Sequence, residues 1–270
     1  MSTAWSSDFS YRYFRRILQA IKCAFECHPI CEAPQILRAN RVPRLILRHD
    51  IDISLARACK MAELETECGL RATYMVMTNG LLYSLSDAAS REMLHLLISM
   101  GHEVALHFDI SALEGSSNGK VSAIETQIDS ACKQLEDVLG LSVQSISFHR
   151  PGSYDGLLLH FIRGPLFVAG RVNAYAADLM DWYLSDSKGT WREGEPLPKL
   201  LKPAKPLLQL LIHPIWWGDE HMAAEDRLEA FFLAETQGTS LEFTQAFDDH
   251  LAATIPAVLR RCSQEELPRV

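Results

Sequence analysis

RLILRHDID, residues 44–52, is the stretch on which the fold turns. Leu45, Ile46 and Leu47 follow one another without a polar break, as in a strand buried on both faces. His49, Asp50 and Asp52 come directly after them. Ionisable groups rarely end a core strand unless they are paired, bind a metal or do chemistry. In extended chain, residues i and i+2 point the same way, so Asp50 and Asp52 share a face and His49 takes the opposite one, towards the core or behind the site. Two carboxylates side by side raise one pKa unless a cation lies between them. A salt bridge to Arg48, Arg57 or Arg150 is the structural alternative.

Outward from this stretch the pattern repeats. β-rich runs follow at ATYMVMT (72–78), EVALHFD (103–109), VQSISFH (143–149), LFVAGRV (166–172), WYLSD (182–186) and LLQLLIH (207–213). Helical patterns fill 54–67, 86–100 and 120–138. Strand–helix alternation predicts a parallel sheet with helices outside, and about seven strands point to a barrel, complete or not. An open doubly wound sheet is the other solution. Upstream, Phe9, Tyr13, Ile17, Ile21 and Phe25 predict an amphipathic helix over 8–28, and the proline-bearing stretch 29–43 reads as a connector. The chain is helical again over roughly 222–262. These segments give one domain: an N-terminal helical extension (1–42) packed on a barrel (43–221), with a C-terminal helical segment (222–270).

Composition removes several function classes. The 270 residues are 48% hydrophobic and carry a net charge of −8, so there is no basic footprint for nucleic acid or an anionic membrane. No G-x-G-x-x-G or Walker A sequence follows the first strand. No apolar run approaches the roughly 20 residues of a membrane span, and the N-terminus lacks the apolar core of a signal peptide, so the expectation is a soluble, cytoplasmic protein. Seven scattered cysteines fit reduced thiols. Cys23, Cys27 and Cys31, with His28 among them, read as an apolar helix stripe ending near Pro29; metal ligands on one helix face are the other reading.

The polar residues collect at strand ends. The runs finish in His49, Asp50 and Asp52; in His107 and Asp109; in His149 and Arg150; in Ser185, Asp186 and Ser187; and in His213, with Trp216 and Trp217 beyond it. In parallel α/β folds all carboxyl ends of strands lie on one face, where ligands bind. Imidazoles and carboxylates together suit a divalent cation, zinc first, with iron, cobalt, manganese and nickel also compatible. A carboxylate off the metal then serves as general base and a histidine opposite as acid. Arg150 is suited to grip the base carboxylate side-on. Trp191 and Trp216 either pack in the core or offer faces to a ligand, and Asp186 either orients Arg150 or a ligand hydroxyl or caps a turn.

These stretches resemble the polysaccharide deacetylases of carbohydrate esterase family four, over roughly residues 43–217. LRHDID resembles the family's first motif, GHEVALHFD (101–109) the second, SFHRPGS (147–153) the third, DWYLSDSKGTW (181–191) the fourth and LLIHP (210–214) the fifth. The resemblance implies a distorted (β/α)7 barrel and metal-dependent removal of N- or O-acetyl groups from a carbohydrate. It implies Asp50 as base, Asp52 and His107 as ligands and His213 as acid. Two departures stand out. Ile51 separates aspartates that are adjacent in the family, and Ser111 stands where a second histidine ligand is usual. We read His149 as the replacement ligand, with Asp109 a weaker one. The departures also fit a metallohydrolase of another amide or ester, or an inactive sugar-binding or scaffolding homologue.

Overall fold

The computed structural model describes residues 7–38, 43–80, 82–109, 121–151 and 162–236. Its centre is a sheet of nine strands among the described residues. The strands are β1 (Glu26–His28), β2 (Arg44–Ile51), β3 (Thr73–Val76), β4 (Glu103–Phe108), β5 (Ser145–Phe148), β6 (Phe167–Val168), β7 (Arg171–Asn173), β8 (Tyr183–Ser185) and β9 (Leu207–Ile212). Eight run in the order β6-β7-β5-β4-β3-β2-β9-β8 and β1 pairs with β2 off this path, all parallel except the β6–β7 hairpin. Followed around, that is the sequential order of a barrel opened between β7 and β8. The sheet curls into a half-barrel, the distorted (β/α) architecture that the motif resemblance implies.

The curl divides the core in two. The concave side buries Ile46, Met75 and Ala105 from neighbouring strands against Ala174, Ala176 and Leu179. The convex side buries Leu45, Leu47 and Ile51 under the helices. Period-two alternation on β2 therefore feeds two different cores, which is why every residue from Arg44 to Ile51 is buried. The helices α3 (Leu55–Cys68), α4 (Ala88–Ser99) and α5 (Val121–Leu139) match the expected crossovers. Ser54 caps α3 just two residues after Asp52, its hydroxyl accepting from Arg57 N–H, so the helix starts at the rim.

Two expectations fail. The first helix, α1 (Tyr11–Ala24), ends four residues early, and residues 26–28 form β1, paired in parallel with Arg44–Ile46. Cys23, Cys27 and Cys31 consequently sit on a helix, a strand and a 3-10 turn (Ile30–Glu32) rather than one stripe. A short helix, α2 (Ala33–Ile36), follows in the presumed connector. The run 166–172 is likewise broken, because Ala169 and Gly170 both turn at positive φ between β6 and β7. The helix α6 (Pro196–Leu201) precedes β9, and α7 (Ala224–Thr236) follows it. Residues 237–262, expected to be helical, and Ser111 lie outside the described residues. No helix among the described residues is long and apolar enough to cross a membrane.

Candidate active site

The carboxyl ends of the strands open onto a cavity of about 480 Å³. Asp50, Asp52, His107, His149, Arg150, Ser185, Ser187, Trp216 and His213 all line it, so five strand ends from distant parts of the chain meet as the parallel topology requires.

Asp52, His107 and His149 each offer one donor atom, and the three atoms lie within 4.8 Å of one another. His107 Nδ1 is 2.6 Å from Ser147 Oγ on the neighbouring strand, which leaves Nε2 to face Asp52 Oδ1 at 3.2 Å. That pair lacks hydrogen-bonding geometry, and Asp52 Oδ1 is buried without a hydrogen-bond partner. Two electron-pair donors facing across such a gap fit a small cation between them. Asp109, read as a weaker ligand, is not in this cluster; its Oδ2 lies 3.6 Å from His149 Nδ1. Burial alone would raise the Asp52 pKa; His107, His149 and His213 outweigh it and hold the carboxyl well below the usual range. Tyr83, which the sequence did not mark, bridges the rim. Its hydroxyl donates to Ile51 O and accepts from Met77 N–H, both at 2.8 Å, fixing the peptide between the two aspartates.

Asp50 is gripped side-on, but not by Arg150. Arg48 Nε donates to Asp50 Oδ1 and Nη2 to Oδ2, each at 2.7 Å. Arg48 precedes Asp50 by two residues and so shares its face, whereas Arg150 sits in a left-handed turn (φ 49°) and lines the cavity. Arg48 is wholly buried, and its Nη1 donates to Gln209 Oε1 on β9. Desolvation pushes the Asp50 pKa up, and Arg48, His107 and His213 pull it further down, to a value below the usual range.

His213 is held by a third carboxylate. Asp186 Oδ1 lies 2.7 Å from His213 Nδ1, and the same carboxylate accepts from His213 N–H at 2.9 Å and from Trp217 Nε1–H at 2.9 Å. Burial lowers the imidazole pKa, but Asp186, with Asp52 and Asp50, raises it to about 9. The helix α1 locks this corner from outside. Tyr11 N–H donates to Gly218 O at 2.7 Å, and Phe9 and Phe14 pack on the Trp217 ring with centroids 5.3 and 5.2 Å away.

Two residues expected at the substrate are placed elsewhere. Asp186 is completely buried behind His213, because β8 pairs with β9 and delivers it to that histidine's backbone. Trp191 belongs to the main core and does not line the cavity; Trp217 is equally buried, and Trp216 is the tryptophan that faces inward. Ser147 and Tyr83 are supporting residues that the sequence did not mark. The salt bridge to Arg48, named there as the structural alternative, is present at Asp50, and Trp217, placed at the rim, is buried behind it.

No protein-family model matches the chain. No curated protein matches it either. Among solved structures it is similar to the deacetylase PplD of Streptococcus pyogenes, solved with acetate (17% identity, TM-score 0.45, over 80% of this chain and 84% of that one). It is also similar to the peptidoglycan deacetylase PdaC of Bacillus subtilis (15%, 0.42, 79% and 95%). A CE4 family pseudoenzyme from Bacillus anthracis is similar at 12% identity and TM-score 0.39, over 73% of this chain and 62% of that one.

Proposed function

We propose that the chain is a divergent polysaccharide deacetylase that hydrolyses an acyl group, acetyl first, from a carbohydrate. One observation carries this: a three-donor pocket, the Asp50 carboxylate and the His213 imidazole face one cavity from the ends of β2, β4, β5 and β9. Asp52, His107 and His149 would hold a divalent cation, and their mixed oxygen and nitrogen donors suit zinc. Such a cation polarises an acyl carbonyl and makes water more acidic.

The remaining chemistry belongs to the protein. Asp50 is the base, taking the proton of the attacking water at its carboxylate while Arg48 keeps that group from swinging away. His213 is the acid. With Nδ1 tied to Asp186, Nε2 is the nitrogen left to give a proton to the departing sugar amine or hydroxyl. Their environments push the two pKa values apart, so at neutral pH the base is ionised and the acid protonated, as the reaction needs. Arg150 faces the substrate rather than the base.

The test is acetate release from N-acetylated and O-acetylated sugars by purified protein, with zinc content measured in parallel. Stoichiometric zinc with turnover supports the reading. Zinc without release from any acyl sugar, but with hydrolysis of simple esters, shifts it to another metallohydrolase. Absence of bound zinc even when the metal is supplied overturns it.

A further inference from the structure

The mouth of the cavity carries a charge pattern opposite to that of the chain. Overall there are 34 Asp and Glu against 26 Lys and Arg. Around the cavity stand Arg150, Arg163, Lys188 and Arg192, and beyond the Asp50–Asp52 pair the lining holds one carboxylate, Glu193. Asp50 is already matched by Arg48, and Asp52 belongs to the donor triad. The wall left for a substrate is therefore cationic in an acidic protein.

Pairing sharpens the contrast. Elsewhere surface cations find carboxylates: Arg15 with Glu67, Lys60 with Glu63, Arg171 with Asp129, Lys205 with Asp181. Arg163, Lys188 and Arg192 are exposed at the mouth and form no ion pair among the described residues. The backbone adds a second observation. Three described non-glycine residues adopt positive φ, and two of them are cavity cations, Arg150 at 49° and Lys188 at 62°. L residues rarely adopt that region, and proteins hold them there mainly where a site needs it. A mouth whose exposed charges are mostly unpaired cations is complementary to an oxyanion.

We propose that the site selects an anionic acyl sugar, one carrying a phosphate or carboxylate, whose charge is received by Lys188, Arg192 and Arg163. This rests on the deacylase reading for the word acyl, and on the wall alone for the word anionic.

The experiment uses the full chain loaded with zinc and three probes: N-acetylglucosamine 1-phosphate, N-acetylglucosaminuronic acid and neutral N-acetylglucosamine. Calorimetry reads binding, and acetate release reads turnover. Both charged sugars should bind tighter than the neutral one, and the tighter of the two identifies which anion the wall is built for. The preference should shrink as salt rises and the Debye length falls from about 10 Å at 0.1 M to 3 Å at 1 M. Lys188→Gln and Arg192→Gln should each lower affinity for the preferred anion about three- to five-fold, the size of a partly exposed charge contact. Equal affinity for charged and neutral sugars, no binding of the charged ones, or a preference untouched by either variant overturns the proposal. An anion preference without acetate release from any probe keeps the anionic wall and overturns the deacetylase reading instead.

Discussion

Strand β2 holds a carboxylate–imidazole cluster on each of its faces, and only one of them opens to a cavity. On the concave face are Asp50, Asp52 and His107, with Arg48 as the counter-charge. On the convex face, one residue away, His49 Nε2 lies 2.6 Å from Glu65 Oε1, and Tyr74 donates its hydroxyl to Glu65 Oε2 at 2.9 Å. The His49 and Tyr74 rings stack at 4.5 Å, and His102 Nδ1 accepts from Ala72 N–H at 3.1 Å. Glu65 and His49 are wholly buried, sealed beneath α3 and α1. The same residue types thus make a closed structural knot on one side and a reactive rim on the other. Access separates them, because a group that no substrate can reach does no chemistry.

The largest expected effect lies on the open face. Asp50→Asn should cut acetate release by about 10²–10⁴-fold, the usual contribution of a positioned base, while zinc content stays the same. Full activity in that variant would remove the role given to Asp50. On the closed face, Glu65→Ala leaves His49 and the Tyr74 hydroxyl buried without their partner. It should cost about 3–5 kcal/mol in a denaturant titration, with turnover per folded molecule retained. If the stability loss is absent, or turnover disappears in the folded protein, the two faces are not separable as described.

A smaller effect probes the acid. Burial opposes the charge on His213, and Asp186 more than restores it, so the imidazole stays protonated up to about pH 9. Activity should fall as pH rises through that value. Asp186→Asn removes the charge that raises the pKa, so the alkaline limb should move to lower pH; a limb that stays in place would detach His213 from proton donation. The smallest effect belongs to Tyr83→Phe, which removes two hydrogen bonds at the rim and should cost about 1 kcal/mol, with acetate release reduced only slightly. An unchanged unfolding midpoint would show that the peptide between the aspartates is held by something else.

Much of this was readable residue by residue. The alternation in LRHDID placed Asp50 and Asp52 together and His49 opposite, and five strand ends foretold one rim. The supports were not readable. Asp186 reads as a turn or substrate residue until β8 is known to pair with β9. Glu65 is one acid among several on a helix until α3 packs over His49. The strand β1 hid inside a helical pattern, because three residues with no alternation of their own become a strand only against the start of β2, which β3 leaves unpaired.

By itself, then, the amino-acid sequence determined the local facts: which of the longer runs are strands, which side of those strands a residue faces, and which chemistries the strand ends hold. These follow from short-range sterics and periodicity, which neighbouring residues set between them. Tertiary structure alone decided which charges are matched. Arg48 rather than Arg150 holds Asp50, Asp186 serves His213, and Arg163, Lys188 and Arg192 find no carboxylate among the described residues. Pairing depends on distance and burial across segments far apart in sequence, and those are set only when the sheet curls.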